Sequence, residues 1–401
     1  MTHVLIIGGG IAGPVTAMAL RRAGIEASVH EAYPRGADRA GAFLVLFANG
    51  LAALAAIGAD APVLDHSFPS GTVEYLGDTG RTLGVRPLAG AGPDGTAPRT
   101  LPRAVLHRVL REEAARRGIP LAYGRRLVDV VRGPGGKVVA VFADGSRAEG
   151  DLIIGADGLH SRTRRVLDPD APRPRHTGQV TVCGRTRAPG HAAPPGTYRM
   201  MYGKHGFFGQ VTGPDATTYW FANLPAPEVP RAALAGYTPD RWRRRVTEAF
   251  ADDGTPAAAL AAATGDDIVG INGYDIASVP VWHDDRTVLV GDAAHATAPN
   301  AAQGASMAIE DGVVLARCLR DLPDAGQAFA AYERLRRERV ERIVALSAAM
   351  ADRIVRTEGE RRVRDAEVER RLAADARDAP DTDGSADWIT GYRVDWEEKV
   401  C

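Results

Sequence analysis

Val4-Leu5-Ile6-Ile7-Gly8-Gly9-Gly10-Ile11-Ala12-Gly13 is an apolar strand running into a glycine turn, and Val29-His30-Glu31 follows as a second strand ending in an acid. This pattern predicts a dinucleotide site. Gly8 permits a tight turn, Gly10 lets backbone approach a pyrophosphate, and Gly13 lets the next helix pack on the strand, its N-terminus facing the anion. Glu31 stands where an acid bonds a ribose hydroxyl. The apolar spacing of Val15, Met18, Ala19 and Leu20 supplies the helix, so strand, turn and helix occur in the required order.

Composition narrows the partners. Over 401 residues the net charge is −1, which gives nucleic acid or an anionic membrane nothing to recognise. The length predicts two or three lobes. Cys183, Cys318 and Cys401 are odd in number, far apart and without ligand-spaced histidines, so no disulfide framework or metal site is expected. No apolar run reaches membrane-spanning length and the first strand leaves no room for a signal peptide, so a cytoplasmic protein is expected. Oligomeric state, monomer or homodimer, stays open.

Outward from the turn, residues 1–66 read as the start of a parallel sheet, with a helix through Asn49–Leu54. Val73–Leu76 is a short strand and 89–95 a loop. Val105, Leu106, Val109 and Leu110 have helical spacing, and Val138–Phe142 turns at Asp144-Gly145 as a hairpin. Between 173 and 283 alternation predicts an antiparallel sheet with strands at Val180–Val182, Tyr198–Tyr202, Phe207–Val211 and Thr218–Ala222. A helix over 241–263 and a strand over 275–279 are expected to close it. Thr287–Val290 returns to the parallel sheet, followed by helices over 303–321 and after Ala325, the latter with Phe329, Tyr332, Leu335, Ile343, Leu346 and Met350 on a broad face. Beyond Arg353 charge dominates, and a solvated or frayed helix is expected.

Two further segments match the opening turn. Leu152-Ile153-Ile154-Gly155-Ala156-Asp157-Gly158 and Val288-Leu289-Val290-Gly291-Asp292 are strands ending in a glycine and an aspartate. With these three motifs in this order, the chain resembles the single-component, FAD-dependent class A flavoprotein monooxygenases of aromatic-hydroxylase (para-hydroxybenzoate hydroxylase-like) type. Arg39-Ala40-Gly41, Arg103 in Leu-Pro-Arg-Ala-Val-Leu, and the stretch Pro299 to Asp311 extend the match to residues 1–350. Trp388-Ile389-Thr390-Gly391-Tyr392 is similar to the tail of the salicylate- and urate-hydroxylase branch.

The resemblance implies an α/β fold: a Rossmann-like, glutathione-reductase-like FAD-binding domain from 1–70, 101–172 and 284–350. Into it an α+β substrate domain, 71–100 and 173–283, is inserted on an antiparallel sheet, and 351–401 forms a C-terminal helical segment and tail. It implies FAD contacts from Gly8, Gly10, Ile11, Ala12, Gly13, Glu31, Arg39, Arg103, Asp157, Gly291, Asp292, Gly304 and Ala305, with Asp157 also serving nicotinamide. The implied reaction reduces bound FAD with a transient NAD(P)H, adds O2 to give a flavin C4a-hydroperoxide, and hydroxylates a small cyclic, aromatic or polyketide-like substrate. One departure stands out: the family's Pro-x-x-Gly-Gln-Gly reads Pro299-Asn300-Ala301-Ala302-Gln303-Gly304 here.

Substrate is expected between the antiparallel sheet and the flavin edge near Pro299, with Arg185, Arg199, Tyr202, His205 and Tyr219 as polar candidates. Alternation puts Tyr198, Met200 and Tyr202 on one face and Arg199 and Met201 on the other, without saying which faces inward. The other readings are epoxidation, Baeyer–Villiger oxygenation, an FAD-dependent dehydrogenase or reductase, and a flavin-binding protein without turnover. No second strand–GxGxxG–helix unit is present, which disfavours two-dinucleotide reductases, and no Trp-x-Trp-x-x-Pro segment supports halogenation.

Overall fold

A computed structural model describes residues 2–34, 42–88, 96–351, 357–375 and 387–401. Its centre is a parallel five-stranded sheet ordered Thr287–Leu289, Leu152–Gly155, His3–Ile7, Glu26–Glu31 and Leu121–Tyr123. Alternation along these apolar strands feeds two cores. Val4, Ile6, Val29 and Ile154 pack with Leu20, Leu106 and Ile309 from the helices Ala12–Arg22, Arg103–Arg116 and Gly304–Asp321. Leu5, Ile7 and Ile153 pack instead with Val138 and Phe142 from a three-stranded antiparallel sheet, Leu127–Arg132, Val138–Phe142 and Arg147–Gly150. Burial on both faces explains the unbroken hydrophobic runs.

The larger sheet has seven strands in the order Ile268–Asp275, Arg175–Thr186, Thr218–Pro225, Phe207–Thr212, Thr197–Tyr202, Thr72–Gly77 and Thr82–Pro87. All neighbours are antiparallel except Thr197–Tyr202 with Thr72–Gly77, where Met200 pairs with Tyr75 in a parallel ladder. One face carries Val180, Val182, Met201, Phe208 and Trp220 against Trp242, Val246, Phe250 and Leu260. A short sheet of Phe43–Leu46, Arg99–Pro102 and Phe68–Pro69 completes the β-sheets among the described residues.

Three local expectations are corrected and a fourth is refined. The helix over 241–263 is two helices, Pro239–Ala249 and Ala257–Ala262, because Gly254 turns away to donate to Asp78 O at 2.7 Å and Pro256 starts the second. The closing strand lies at Ile268–Asp275 rather than 275–279. Gly270 and Gly273 hide it from a β-propensity reading, although Gly270 is what admits the Trp242 ring, 2.3 Å from where a Cβ would sit. In the helix Ala325–Ala351, Phe329, Tyr332 and Ile343 are buried but Leu335, Leu346 and Met350 are exposed, since the packed stripe is narrower than the hydrophobic pattern. The charged segment near the C-terminus is a largely solvated helix, as expected, but a docked one: Glu358–Asp375 lies on the sheet edge, with Leu372 against Gly84 and Arg361 paired to Asp78 at 3.0 Å. Its docking uses charged side chains and one leucine, so it leaves no amphipathic signature. No helix among the described residues is long and apolar enough to cross a membrane.

Candidate active site

The glycine turn is a backbone construction. Gly8 has φ +116° and donates to His30 O at 2.9 Å; a Cβ there would lie 2.2 Å from Ala156 O, and one at Gly13 would lie 1.9 Å from Gly8 O. At Gly10, by contrast, a Cβ would meet nothing within 4 Å. Two glycines are therefore required by the fold, and the third leaves open a cradle over the N-terminus of Ala12–Arg22, beside Ile11 and Ala12, where amides lack helical partners. Glu31 braces this turn: Oε2 accepts from Gly9 N at 2.6 Å and Oε1 from Tyr33 N at 2.9 Å.

The other two turns are tied to each other. Asp157 accepts from Arg162 N at 2.7 Å, Thr163 N at 2.9 Å and the Ser161 hydroxyl, so its carboxylate caps the helix Arg162–Leu167. Arg164, buried, donates to Leu159 O at 2.8 Å and to Ala293 O at 3.0 Å, joining the Asp157 turn to the Asp292 turn. Gly291 has φ +61°, and its amide donates to Asp311 Oδ2 at 2.8 Å. Burial raises the pKa of Asp292, against the opposing charges of Arg103, at the head of Arg103–Arg116, and of His295. Arg39 lies outside the described residues.

Behind Gly291 is a buried charge network that motif reading missed. Asp311 pairs with His295 Nε2 at 2.5 Å and Arg336 Nε at 2.8 Å; Arg336 also bonds Glu310 at 2.6 Å. Burial acts to raise the Asp311 carboxyl, but the charges of His295 and Arg336 and the bonds from His295 and Gly291 outweigh it and hold it well below the ordinary range. Glu310 accepts from Asn49 at 2.7 Å and Arg339 at 2.9 Å, and Arg339 reaches Ile389 O at 2.6 Å and lies 4.2 Å from the Tyr392 ring centre. Thus the Trp388–Tyr392 tail is fastened to the framework behind the Asp292 turn. The signal available was the adjacent Glu310-Asp311 pair inside an apolar helix.

Beyond the turns, Pro299–Ala301 forms a 3₁₀ turn and Ala302 follows at φ 51°, ψ 28°, a left-handed conformation that glycine normally takes. Gly304 and Ala305 then open Gly304–Asp321. Beside that first turn, Asn49 Oδ1 and Ser306 Oγ are buried without a hydrogen-bond partner among the described residues. The open cradle, the desolvated Asp292 and these polar atoms fit a polar, anionic cofactor laid across the three turns.

A cavity of about 770 Å³ lies between the Pro299–Ala302 turn and the large sheet. Thr181, Cys183, Tyr198, Met200, Phe221 and Asn223 line it from the sheet, and Phe43, Leu44 and Val45 from the opposite side. The inward face is therefore that of Tyr198, Met200 and Tyr202; Arg199 points away and pairs with Glu74 at 2.7 Å. Tyr202, His205 and Pro299 line the cavity as expected residues, whereas two others do not. Arg185 pairs with Asp267 at 2.8 Å, and Tyr219 packs against Phe43 with ring centres 5.8 Å apart, outside the lining. Sequence reading missed Phe43–Val45, Gln179, Thr181, Cys183, Phe221, Asn223, Asn300 and Arg364; periodicity alone would have grouped the strand residues once the inward face was fixed. Burial pushes the Cys183 thiol up to about 12, so it is an inert wall. A second, shallower hollow of about 410 Å³ is lined by His283, Glu333 and Arg337, away from the Pro299–Ala302 turn.

A family model described as FAD binding domain matches residues 1–347. Aurachin C monooxygenase/isomerase of Stigmatella aurantiaca is 33% identical over 356 residues, covering 85% of this chain and 87% of the relative. The 6-hydroxynicotinate 3-monooxygenase of Pseudomonas fluorescens is 30% identical over 372 residues, covering 86% and 90%. Among solved structures, Klebsiella pneumoniae HpxO complexed with FAD and uric acid is similar with a TM-score of 0.84 at 26% identity, covering 97% of this chain and 96% of that one.

Proposed function

We infer the reaction from one premise: the chain belongs to the FAD binding domain family and is an FAD-dependent monooxygenase of the class A, aromatic-hydroxylase-like kind. The proposed reaction takes two electrons from NAD(P)H and one atom of O2 to hydroxylate a planar cyclic substrate. Supporting this most directly is a single chamber with the Pro299–Ala302 turn on one wall and the aromatic sheet face on the other. Cofactor ring and substrate can share it without intervening water.

FAD supplies the electron transfer and oxygen activation when bound. The chain's residues hold and shield it. Amides at Gly10 to Ala12 would receive the pyrophosphate, and Glu31 keeps lone pairs free for a ribose hydroxyl beyond its two backbone bonds. Asp292 would accept from the ribityl chain, which would relieve its desolvation, with the charge of Arg103 nearby. Backbone from Ala302 to Ala305 would hold the ring system. On the substrate side, Tyr198, Met200, Phe207 and Phe221 exclude water, which protects an oxygen-activating site from unproductive decay. Thr181 Oγ1 donates to Asn223 Oδ1 at 2.8 Å, and Asn223 Nδ2 to Asn300 Oδ1 at 3.4 Å, so a polar row crosses from the sheet to the Pro299 turn and can orient a ring hydroxyl. The relatives' names, monooxygenases and hydroxylases, do not favour epoxidation, Baeyer–Villiger or dehydrogenase alternatives.

The test is turnover under labelled oxygen with candidate aromatic substrates and NAD(P)H. The expected product carries one labelled oxygen per NAD(P)H consumed; unlabelled product formed at the same rate would refute oxygen transfer.

A further inference from the structure

Helix Glu358–Asp375 lies beyond the residues that the family model matches, yet it closes one wall of the chamber through Arg364. Its seat is built into the sheet edge. A Cβ at Gly84 would lie 2.6 Å from Leu372 Cδ1, and one at Gly77 2.7 Å from Asp365 Oδ2, so two glycines make notches for this helix. Arg361 to Asp78 at 3.0 Å, and Arg81 with Glu369, hold it there. Arg364 itself is oriented by Asp365 at 2.7 Å and by the Tyr202 carbonyl at 3.2 Å, with its guanidinium 5.0 Å from the Tyr202 ring centre.

Register gives the reach. Asn223, Phe207, Tyr202 and Gly77 are paired in one row across the sheet. Asn223 touches Asn300 of the Pro299 turn, and Tyr202 carries Arg364 two strands away, a separation of about 10 Å at ordinary strand spacing. A single six-membered ring does not span it. The far end is also basic: Lys204, His205 and Arg364 line the cavity and no acidic side chain among the described residues does. Asp365 and Asp253 stand behind that wall, and Lys204 Nζ is held by Asp252 O at 2.6 Å. Between the two ends, Tyr202 stacks with Tyr75 at 6.3 Å and tilts against Phe207 at 5.2 Å.

We propose that Arg364 is a specificity-determining residue that binds an anionic oxygen, carboxylate or enolate, at the end of a fused or extended aromatic substrate remote from the oxygenated carbon. This rests on the oxygenation reading above. Arg364 acts on binding and orientation, not on oxygen transfer.

The test titrates the FAD-loaded protein, following the flavin absorbance, with 3-hydroxy-2-naphthoate, its uncharged analogue 2-naphthol, and the one-ring acid salicylate. Wild type is expected to bind the naphthoate about tenfold tighter than either comparator, and Arg364→Gln to lose about tenfold for the naphthoate alone. Arg364→Lys should restore part of that loss, a rescue that a merely structural wall would not give. Equal weakening of naphthoate and naphthol in Arg364→Gln, no weakening of either, or a wild-type preference for salicylate would overturn the assignment. If this binding pattern holds while labelled oxygen never enters product, the oxygenation reading fails and the assignment of Arg364 survives.

Discussion

The region proposed to hold the cofactor and the chamber beside it are made by different means. The wall proposed for the cofactor is backbone: three strand ends, glycines at which a Cβ would collide, and helix N-termini. The sheet wall of the chamber is side chain: one face of a seven-stranded sheet and an arginine from a helix far along the chain. A backbone wall tolerates almost no substitution at its closest contacts, because nothing there can move aside. A side-chain wall can be rewritten residue by residue, which lets one cofactor frame serve many substrates.

The largest effect is expected behind the cofactor wall. Arg336→Met removes a buried cation shared by Asp311 and Glu310, leaving His295 and Arg339 as their remaining ion-pair partners, and should cost about 3–5 kcal/mol in stability. Urea unfolding at neutral pH measures it. The pH dependence has a definite sign. Asp311 is held below the ordinary carboxylate range, so its contribution is complete above that range and is lost as pH falls toward the depressed value. The wild type should therefore weaken in acid more steeply than Arg336→Met. Asp292 runs the other way: its pKa is raised, so ionisation costs stability as pH rises past the ordinary carboxylate value. Asp292→Asn should stabilise the apoprotein at neutral pH and weaken FAD retention.

Next is the glycine pair that separates folding from binding. Gly13→Ala drives a methyl to within 1.9 Å of Gly8 O, and should cost about 2–3 kcal/mol together with FAD. Gly10→Ala meets nothing within 4 Å and should keep apoprotein stability within about 0.5 kcal/mol while weakening FAD, read by thermal melts and FAD titration. If Gly10→Ala binds FAD as tightly as wild type, the open cradle at Gly10 is not a ligand site. Smaller still, Ala302→Gly removes left-handed strain at φ 51° and should raise stability by about 1 kcal/mol or less, because glycine's greater unfolded entropy offsets part of the gain. The smallest effect belongs to Arg185→Ala, whose partly exposed pair with Asp267 is worth about 0.5 kcal/mol and whose loss should leave substrate KM unchanged.

This division also decides what the sequence could reveal. Gly8 and Gly291 are legible because their positive φ admits few residue types, Gly13 because close backbone contact leaves no room for a side chain, and the parallel strands because burial on both faces demands apolar runs. Thr181, Asn223 and Arg364 are ordinary residues on ordinary elements; only the register across the sheet and the seat of Glu358–Asp375 bring them together. Arg185 and Tyr219 look equally suitable by type. One is drawn off by Asp267 and the other by Phe43. The strand Ile268–Asp275 was obscured by Gly270 and Gly273, whose function is to make room for Trp242 and Thr177.

A crystal structure of the FAD-loaded protein tests the shared chamber most directly. The pyrophosphate is expected over Gly10, the ribityl chain at Asp292, and the ring system against Pro299–Ala302 with its free face toward Met200 and Phe221. A ring system lying away from that turn, with the sheet-side cavity closed off from it, would rule out a shared chamber.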